Sequence, residues 1–385
     1  MISWEFLEAR LVQLEEAGLF RRPDDGANRL ECWRHAEALN VEPIDACSND
    51  YLGYSRTVVS RETSQLESTT GSGASRLIHG TRQIHQDLEA HLAEWVDQQA
   101  ALLFTSGYSA NLGVMGSLPE LGDVIFSDAL NHASIIDGCR LSKAGVVVFP
   151  HLDVDSLEVM LRKESPGRRV WVVTESYFSM DGDSPDLVKL RRLCDERGAA
   201  LIVDEAHSLG VFGPNGSGIC RQLGVKPDVL IGTFGKALGS QGAFACSRRV
   251  ARDWMWNRAR SFVYSTAMSP MMAFATLSNV SRVRNDDLSR TRLADIVACF
   301  RELVTAARVP VLKSSYGPIV PIILVTPGRA MEAAKELLHR GVLVQAIREP
   351  TVRPGTSRIR LTLNSTLTDV QLQRLADAII AVCAG

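Results

Sequence analysis

Seven short apolar segments between residues 101 and 245 set the strongest limit on how this chain folds. Most are rich in β-branched side chains, and stretches with a helical pattern lie between them. They occupy residues 101–104, 124–126, 146–149, 170–173, 200–203, 229–231 and 243–245. Short, nearly continuous apolar runs are typical of strands buried on both faces. Their alternation with helices predicts an α/β fold with a mostly parallel seven-stranded sheet.

The N-terminal segment has a different pattern. Its apolar side chains stand at positions 4, 7, 11 and 14, which is helical spacing. Ser3 can begin this helix and Gly18 can end it. We therefore predict an amphipathic helix ahead of the first apolar segment.

The C-terminal part indicates a smaller α+β unit. A helical pattern at 329–340 is followed by strand-like segments at 342–347 and 358–363. A last helix opens with a capping box formed by Thr368 and Gln371. The predicted domains are an N-terminal helix and arm at 1–45, a large domain at 46–285 and a small C-terminal domain at 286–385.

Composition excludes several classes of protein. The 42 Lys and Arg nearly balance the 44 Asp and Glu, so the net charge is −2 and no basic face for nucleic acid is indicated. The eight cysteines form no CxxC pair, which disfavours a metal site and favours a reducing compartment. The N-terminus lacks the basic region of a signal peptide. No apolar run approaches the roughly 18 residues of a membrane span. We therefore expect a cytoplasmic protein with no nucleic-acid or membrane partner.

Polar residues follow five of the seven predicted strands directly. In an open parallel sheet, ligands bind outside the carboxyl ends of the strands. We therefore expect one site assembled from several loops. The five polar segments are 105–108 (Thr-Ser-Gly-Tyr), 127–132, 174–181, 204–207 (Asp-Glu-Ala-His) and 233–236 (Thr-Phe-Gly-Lys).

Three of these residues together indicate pyridoxal phosphate chemistry. Taken singly, Lys236 fits a surface loop and Asp204 fits a structural ion pair or a helix cap. A desolvated lysine is also a nucleophile that forms Schiff bases. A carboxylate for the pyridine nitrogen, a histidine for the phenolic oxygen and a Schiff-base lysine are what this cofactor needs. Asp204, His207 and Lys236 supply that set from two neighbouring strand ends.

Two further features fit the same cofactor. Gly107 and Tyr108 follow Ser106 at a predicted strand-to-helix turn, where backbone amides can hold a phosphate. An ordinary turn explains that segment equally well. His132 can stack on a planar ring, although a lone histidine is more often a core residue.

Six motifs resemble those of the α-oxoamine synthases, which are pyridoxal phosphate enzymes with the fold-type I aminotransferase architecture. The resemblance extends over essentially the whole chain. It implies a large cofactor-binding domain followed by a smaller C-terminal domain. The motifs lie at residues 48–53, 174–183, 204–207, 233–236, 264–266 and 358–361.

The resemblance implies a role for each residue around the cofactor ring. Lys236 would hold pyridoxal 5'-phosphate covalently and move the Cα proton of the amino acid. Asp204 would keep the pyridine nitrogen protonated. His132 would stack on the ring, and Ser179 and His207 would bond its phenolic oxygen.

It also implies how the phosphate group is held. Gly107, Tyr108 and Thr233 would contact the phosphate within one subunit. Ser265 and Thr266 would reach it from a second subunit. The resemblance therefore implies a homodimer.

The substrate residues follow in the same way. Arg360 would bind the carboxylate of the amino acid, and Asn49 is a further substrate residue. Thr351, together with Arg21 or Arg22, would contact the acyl substrate. The register leaves the choice between the two arginines open.

Residues 346–356 resemble most the member that joins L-alanine to a pimeloyl thioester in biotin synthesis. The pimeloyl group would be carried on coenzyme A or on a carrier protein. Glu349 and Arg353 stand where that member is expected to have prolines. His79 and the pair Ser208 and Leu209 also depart from its pattern.

Two alternatives therefore stay open. One is an α-oxoamine synthase that uses glycine or serine with a different acyl-CoA, and the other is a non-catalytic subunit that keeps the fold. Retention of Lys236, Asp204 and His207 together argues against the second. The glycine pattern at 71–76 is broken by Arg76, which argues against a dinucleotide-binding enzyme.

Overall fold

The computed structural model describes residues 4–20, 27–57, 69–165 and 167–384. The chain divides into two compact units. The large unit comprises Asn49–Ser179 and Asp183–Thr291. The small unit comprises Met1–Ser48, Met180–Gly182 and Arg292–Gly385. The N-terminal segment therefore clusters with the C-terminal residues.

The strands and helices are numbered along the chain. The strands are β1 (Ile44–Asp45), β2 (Ala100–Phe104), β3 (Val124–Asp128), β4 (Gly145–Phe149), β5 (Val170–Glu175), β6 (Ala200–Asp204), β7 (Val229–Thr233), β8 (Ala243–Ser247), β9 (Ile319–Val325), β10 (Val342–Leu343), β11 (Gln345–Ile347) and β12 (Ser357–Thr362). The helices are α1 (Glu5–Glu16), α2 (Ala27–Ala38), α3 (Gln83–Trp95), α4 (Gly107–Met115), α5 (Ala133–Leu141), α6 (Val154–Leu161), α7 (Leu187–Arg197), α8 (Ile219–Gln222), α9 (Arg249–Arg258), α10 (Arg260–Val263), α11 (Pro270–Asn285), α12 (Asp287–Ala306), α13 (Pro327–His339) and α14 (Asp369–Cys383).

The large unit contains the predicted seven-stranded sheet. Its order is β2-β8-β7-β6-β5-β3-β4. All neighbouring pairs are parallel except those of β8, which runs against β2 and β7. The prediction of a mostly parallel α/β sheet is confirmed. Since six strands share one direction, their carboxyl ends meet at one edge.

Strand β4 differs from the prediction that every strand is buried on both faces. Val146 and Val148 are 42% and 59% exposed. The strand stands at the end of the sheet order, next to β3. An edge position therefore explains its exposed valines, whereas the central strands β5, β6 and β7 are almost wholly buried.

Helices α4 and α5 pack against each other at a glycine. A Cβ on Gly138 would lie 2.8 Å from Cβ of Met115 and 3.0 Å from the carbonyl oxygen of Asn111. Real Cβ atoms do not approach that closely, so only glycine permits this packing distance. The contact fixes the position of α5, whose N-cap is His132.

The small unit has two sheets. Strands β11, β12 and β9 form an antiparallel sheet in that order, and β1 pairs with β10 in parallel. Helix α14 has the predicted capping box of Thr368 and Gln371. Its inner face buries Leu372, Leu375 and Ile379, as the spacing predicts.

Helix α1 forms where the sequence predicts it but buries none of its side chains. Trp4 is its N-cap and is 66% exposed. Ser3, the predicted cap, lies outside the described residues. Among the helices that the structure describes, none is both long and apolar enough to cross a bilayer.

Candidate active site

The carboxyl ends of β5, β6 and β7 bring charged side chains together in the large unit. Glu175 and Asp204 end neighbouring strands and are register partners. Lys236 lies in the turn that follows β7 and is half-buried. The charge of Lys236 acts on both Glu175 and His132. The polar strand ends therefore converge, as the sequence predicts.

Asp204 is buried and held by two donors. Its Oδ2 accepts from Nδ2 of Asn111 at 2.8 Å, and its Oδ1 accepts from the main-chain N–H of Ala206 at 2.9 Å. Burial of a carboxylate is costly unless it is paired and hydrogen-bonded. The two bonds fix this carboxylate at the centre of the strand edge.

His132 is fixed by the first turn of α5. The main-chain N–H of Ser134 donates to Nδ1 of His132 at 3.2 Å. Oγ of Ser134 lies 2.7 Å from the same nitrogen and accepts from Nδ2 of Asn111 at 3.0 Å. A main-chain N–H can only donate, so Nδ1 acts as an acceptor and the neutral ring carries its proton on Nε2. The serine hydroxyl must then donate to Nδ1 as well.

Asn111 links His132 to Asp204. Its amide donates to Oγ of Ser134 and to Asp204, so both amide protons are used. Desolvation lowers the pKa of His132; Asp204 acts against this, and Lys236 adds to it. The neutral imidazole and the carboxylate are thus held by one hydrogen-bonded chain.

Glu175 belongs to the same group of side chains. It is 4% exposed, and its Oε1 accepts from the main-chain N–H of His132 at 2.7 Å. Burial raises the pKa of its carboxyl above the ordinary value, and the charge of Asp204 raises it further. Lys236 acts in the opposite direction.

His207 lies just past β6 and is buried. Its Nδ1 lies 2.7 Å from the hydroxyl of Tyr51, and the two rings meet edge to face. Tyr51 is fully buried. Its hydroxyl therefore fixes the orientation of the imidazole.

Ser179 follows a firmly anchored segment. The main-chain N–H of Phe178 donates to the carbonyl of Asp183 at 2.9 Å. The ring of His151 packs edge-on against Phe178 with centroids 4.5 Å apart. His151 also bonds Asp128 and Asp183, at 2.8 and 3.4 Å.

The predicted phosphate residues lie close together at the start of α4. Ser106 is the N-cap, and Gly107 and Tyr108 are the first helical residues. A Cβ on Gly107 would lie 3.7 Å from Cβ and Oγ1 of Thr233, so the glycine keeps the space in front of Thr233 open. N–H groups at a helix N-terminus have no acceptor inside the helix and favour anions. The hydroxyl of Tyr108 bonds Asp137.

Ser265 and Thr266 follow α10 in the large unit. They border a small pocket with Thr105 and Arg76. Thr266 also forms an isolated bridge with Ser75. Their contact with a phosphate of a second subunit stays a prediction.

The predicted substrate residues are divided between the units. Arg360 is buried in β12, where Nη1 donates to Oγ1 of Thr362 at 2.9 Å. Asn49 is half-buried at the start of the large unit. Arg21 and Arg22 lie outside the described residues.

Thr351 lines a pocket of about 760 Å³ in the small unit. Phe20, Met331 and Arg348 also line it. Arg348 is 9% exposed and donates to the carbonyl of Phe20 at 2.8 Å. The pocket therefore combines apolar side chains and a buried cation with polar groups that include Glu15.

The sequence analysis did not assign four residues that the structure places in or beside these groups. Asn111 is the one polar side chain in the apolar stretch 110–115, a signal that could have been used. Glu175 lies in the motif at 174–183 and Arg348 lies in the segment 346–356, but the sequence analysis assigned neither of them a role. Tyr51 stands in the first motif.

The chemistry of this donor set fits pyridoxal 5'-phosphate. The site offers an amine, a buried carboxylate, a neutral imidazole and the N-terminus of α4 in front of Thr233. Lys236 would form the covalent link through its amine, and Asp204 would bind the ring nitrogen. His132 would contact the ring face, and Gly107 would help to hold the phosphate.

Comparison with known sequences gives one family. The family described as aminotransferase class I and II matches residues 41–379. The chain is 44% identical to an 8-amino-7-oxononanoate synthase of Anaeromyxobacter dehalogenans over 344 residues, which cover 88% of this chain and 86% of the relative. It is 41% identical to an 8-amino-7-oxononanoate synthase of Alkalilimnicola ehrlichii, with coverage of 97% and 96%.

Comparison with solved structures agrees. A serine palmitoyltransferase from S. paucimobilis with bound PLP and myriocin superposes with a TM-score of 0.83 at 27% identity, covering 88% of this chain and 87% of that one. An 8-amino-7-oxononanoate synthase from Francisella tularensis gives a TM-score of 0.75 at 28% identity, with coverage of 88% and 97%.

Proposed function

The chain belongs to the aminotransferase class I and II family and, within it, to the α-oxoamine synthases. We propose that it condenses L-alanine with a pimeloyl thioester in biotin synthesis. The product is 8-amino-7-oxononanoate, formed with loss of CO₂ and of the thiol. The enzyme is a pyridoxal 5'-phosphate-dependent acyltransferase.

One observation carries the cofactor site. Asp204 and His132 are joined through Asn111 and Ser134 by hydrogen bonds, and the charge of Lys236 acts at His132. A core that needed only packing would not bury this set of polar groups at one sheet edge. Preorganised polar groups in a partly dry site are what electrostatic catalysis needs.

The chain's own residues have distinct tasks in this reaction. Bound pyridoxal 5'-phosphate supplies the electron sink that makes the Cα proton of alanine acidic. The amine of Lys236 would take and return that proton. Asp204 would keep the ring nitrogen protonated, and His132 would hold the ring in place. Arg360 would bind the alanine carboxylate.

The small-unit pocket fits the acyl group. A pimeloyl chain is apolar along its length and ends in a carboxylate. Phe20 and Met331 offer apolar contacts, and the guanidinium of Arg348 offers a partner for the terminal carboxylate. Thr351 lines the same pocket, which supports its proposed contact with the acyl substrate.

The assembly is part of the proposal. We infer a cytoplasmic homodimer in which Ser265 and Thr266 of one subunit complete the phosphate site of the other. Sedimentation should give a dimer that holds the cofactor. A fully active monomer would contradict this arrangement.

The experiment starts from purified protein loaded with pyridoxal 5'-phosphate. The absorbance of the cofactor is followed on addition of L-alanine, glycine and L-serine, and then of pimeloyl-CoA or a pimeloyl carrier protein. We expect the largest response to alanine, and 8-amino-7-oxononanoate detected by mass spectrometry. Lys236→Ala should abolish turnover.

Other outcomes separate the alternatives. A response to glycine or serine instead of alanine would keep the family and change the substrate. Cofactor binding without product from any pair of substrates would favour the non-catalytic subunit. Turnover by Lys236→Ala would overturn the assigned mechanism.

A further inference from the structure

We propose that Glu175 is a positioning residue of this site, which holds His132 through its main-chain N–H and places a second carboxyl beside Asp204 on the side of the ring nitrogen. The inference rests on the proposed function, since it concerns the bound cofactor. Nothing in the sequence motifs assigns a role to this side chain.

The geometry supports a hold on His132. Oε1 of Glu175 accepts from the main-chain N–H of His132 at 2.7 Å. His132 is the N-cap of α5, and its ring is bonded to Ser134 on the other side. The residue is therefore fixed at its backbone by β5 and at its ring by α5. Loss of the Glu175 contact would remove the backbone anchor of His132 and leave only the contacts with Ser134.

The placement beside Asp204 supports a second role. Glu175 and Asp204 are register partners on parallel strands, so their side chains leave the same face of the sheet. The charged groups that act on Glu175 are Asp204 of β6, Lys236 after β7 and Asp128 of β3. Two buried carboxyls on adjacent strands repel each other until a cation lies between them. A protonated pyridine ring is such a cation.

A second buried glutamate provides a matched control. Glu205 is fully buried, and its Oε1 accepts from the main-chain N–H of Cys220 at 2.7 Å. Its Oε2 accepts from Ser208. Glu205→Gln therefore removes one buried carboxyl with the same kind of backbone contact, but away from His132.

The test is a pH titration of the cofactor absorbance in the loaded protein. Burial and Asp204 raise the pKa of the Glu175 carboxyl, so we expect it to ionise only when a cation such as the protonated ring lies beside it. Glu175→Gln keeps an oxygen acceptor for His132 but cannot ionise. We expect the pKa of the chromophore joined to Lys236 to fall by about one unit, because a nearby negative charge favours the protonated form. Glu205→Gln should titrate like the wild type.

Glu175→Asp separates the two roles. It keeps the charge but withdraws the oxygen from His132 by one methylene group. We expect its titration to stay near that of the wild type, while the cofactor is lost several-fold faster on dialysis. Glu175→Asp also tests the contact with His132 if Glu175→Gln does not fold.

Each failure has its own meaning. A wild-type protein that takes up no cofactor overturns the proposed function and this inference with it. If the wild type is loaded normally, a Glu175→Gln titration that matches it overturns the charge role alone. Unchanged cofactor loss from Glu175→Asp overturns the hold on His132.

Discussion

The hydroxyl of Tyr51 lies 2.7 Å from Nδ1 of His207, across 156 positions of the chain. This bond connects the first of the resembling motifs to the strand end that carries Asp204. It indicates a role for Tyr51, because fixing one nitrogen of His207 would orient the other for its proposed bond to the cofactor.

Replacement of Tyr51 by phenylalanine should weaken cofactor binding. A typical intramolecular hydrogen bond contributes about 1 kcal/mol, so we expect an affinity about fivefold lower. Titration of the apoprotein with pyridoxal 5'-phosphate measures this change. Tyr54→Phe, which removes the bond between Tyr54 and Asp286, serves as a control and should leave the affinity unaltered.

Replacement of Asn111 by alanine should affect both stability and cofactor uptake. The variant leaves Asp204 and Ser134 without their amide donor in a buried place. We expect the free energy of unfolding to fall by about 1–3 kcal/mol, together with weaker cofactor binding. Urea unfolding and cofactor titration measure the two effects. Ser142→Ala, at the other end of α5, is the control and should leave the cofactor affinity unchanged.

The contacts of His151 should make the free energy of unfolding decrease as the pH becomes alkaline. Burial acts to lower the pKa of His151, but the bonds and charges of Asp128 and Asp183 outweigh burial and raise it to about 9. A group with a raised folded-state pKa contributes its full stability below its unfolded pKa of about 6.5. That contribution is lost as the pH rises towards about 9.

Denaturant unfolding between pH 6 and pH 10 tests this dependence. The wild type should lose up to about 3 kcal/mol over that range from this group. His151→Gln should be less stable at pH 6 and should show a flatter profile. A profile of the same slope in both proteins would contradict the assignment.

Replacement of Arg348 by leucine should change acyl selectivity. Hydrogen bonds to charged groups contribute about 1.5–3 kcal/mol, so KM for pimeloyl-CoA should rise about 10- to 100-fold. Heptanoyl-CoA, which lacks the terminal carboxylate, should be used as well as before or better. An equal loss with both thioesters would assign Arg348 to folding instead.

The sheet was predictable, because it depends on local patterns: apolar runs indicated the seven strands. The strand ends indicated Asp204, His207 and Lys236, whose roles at the cofactor stay predictions. The predicted strand at 170–173 ended too early, since β5 continues to Glu175. A glutamate is not expected at a buried strand position, because the groups that bond its carboxyl cannot be identified from the sequence.

Tertiary contacts decided what could not be predicted. Asn111 acts only because α4 brings it to both Asp204 and Ser134. The exposure of β4 follows from its place at the sheet edge, which a list of apolar runs does not contain. Arg21 and Arg22 lie outside the described residues, so the choice between them stays open.

The glycine at the crossing of α4 and α5 has a consequence for sequence variation. Gly138 is none of the proposed catalytic residues, yet any side chain there would displace the helix that His132 caps. In a scan of random substitutions scored by growth without biotin, position 138 should therefore be as intolerant of substitution as the active-site positions. Intolerance to mutation at this position would report backbone spacing rather than chemistry.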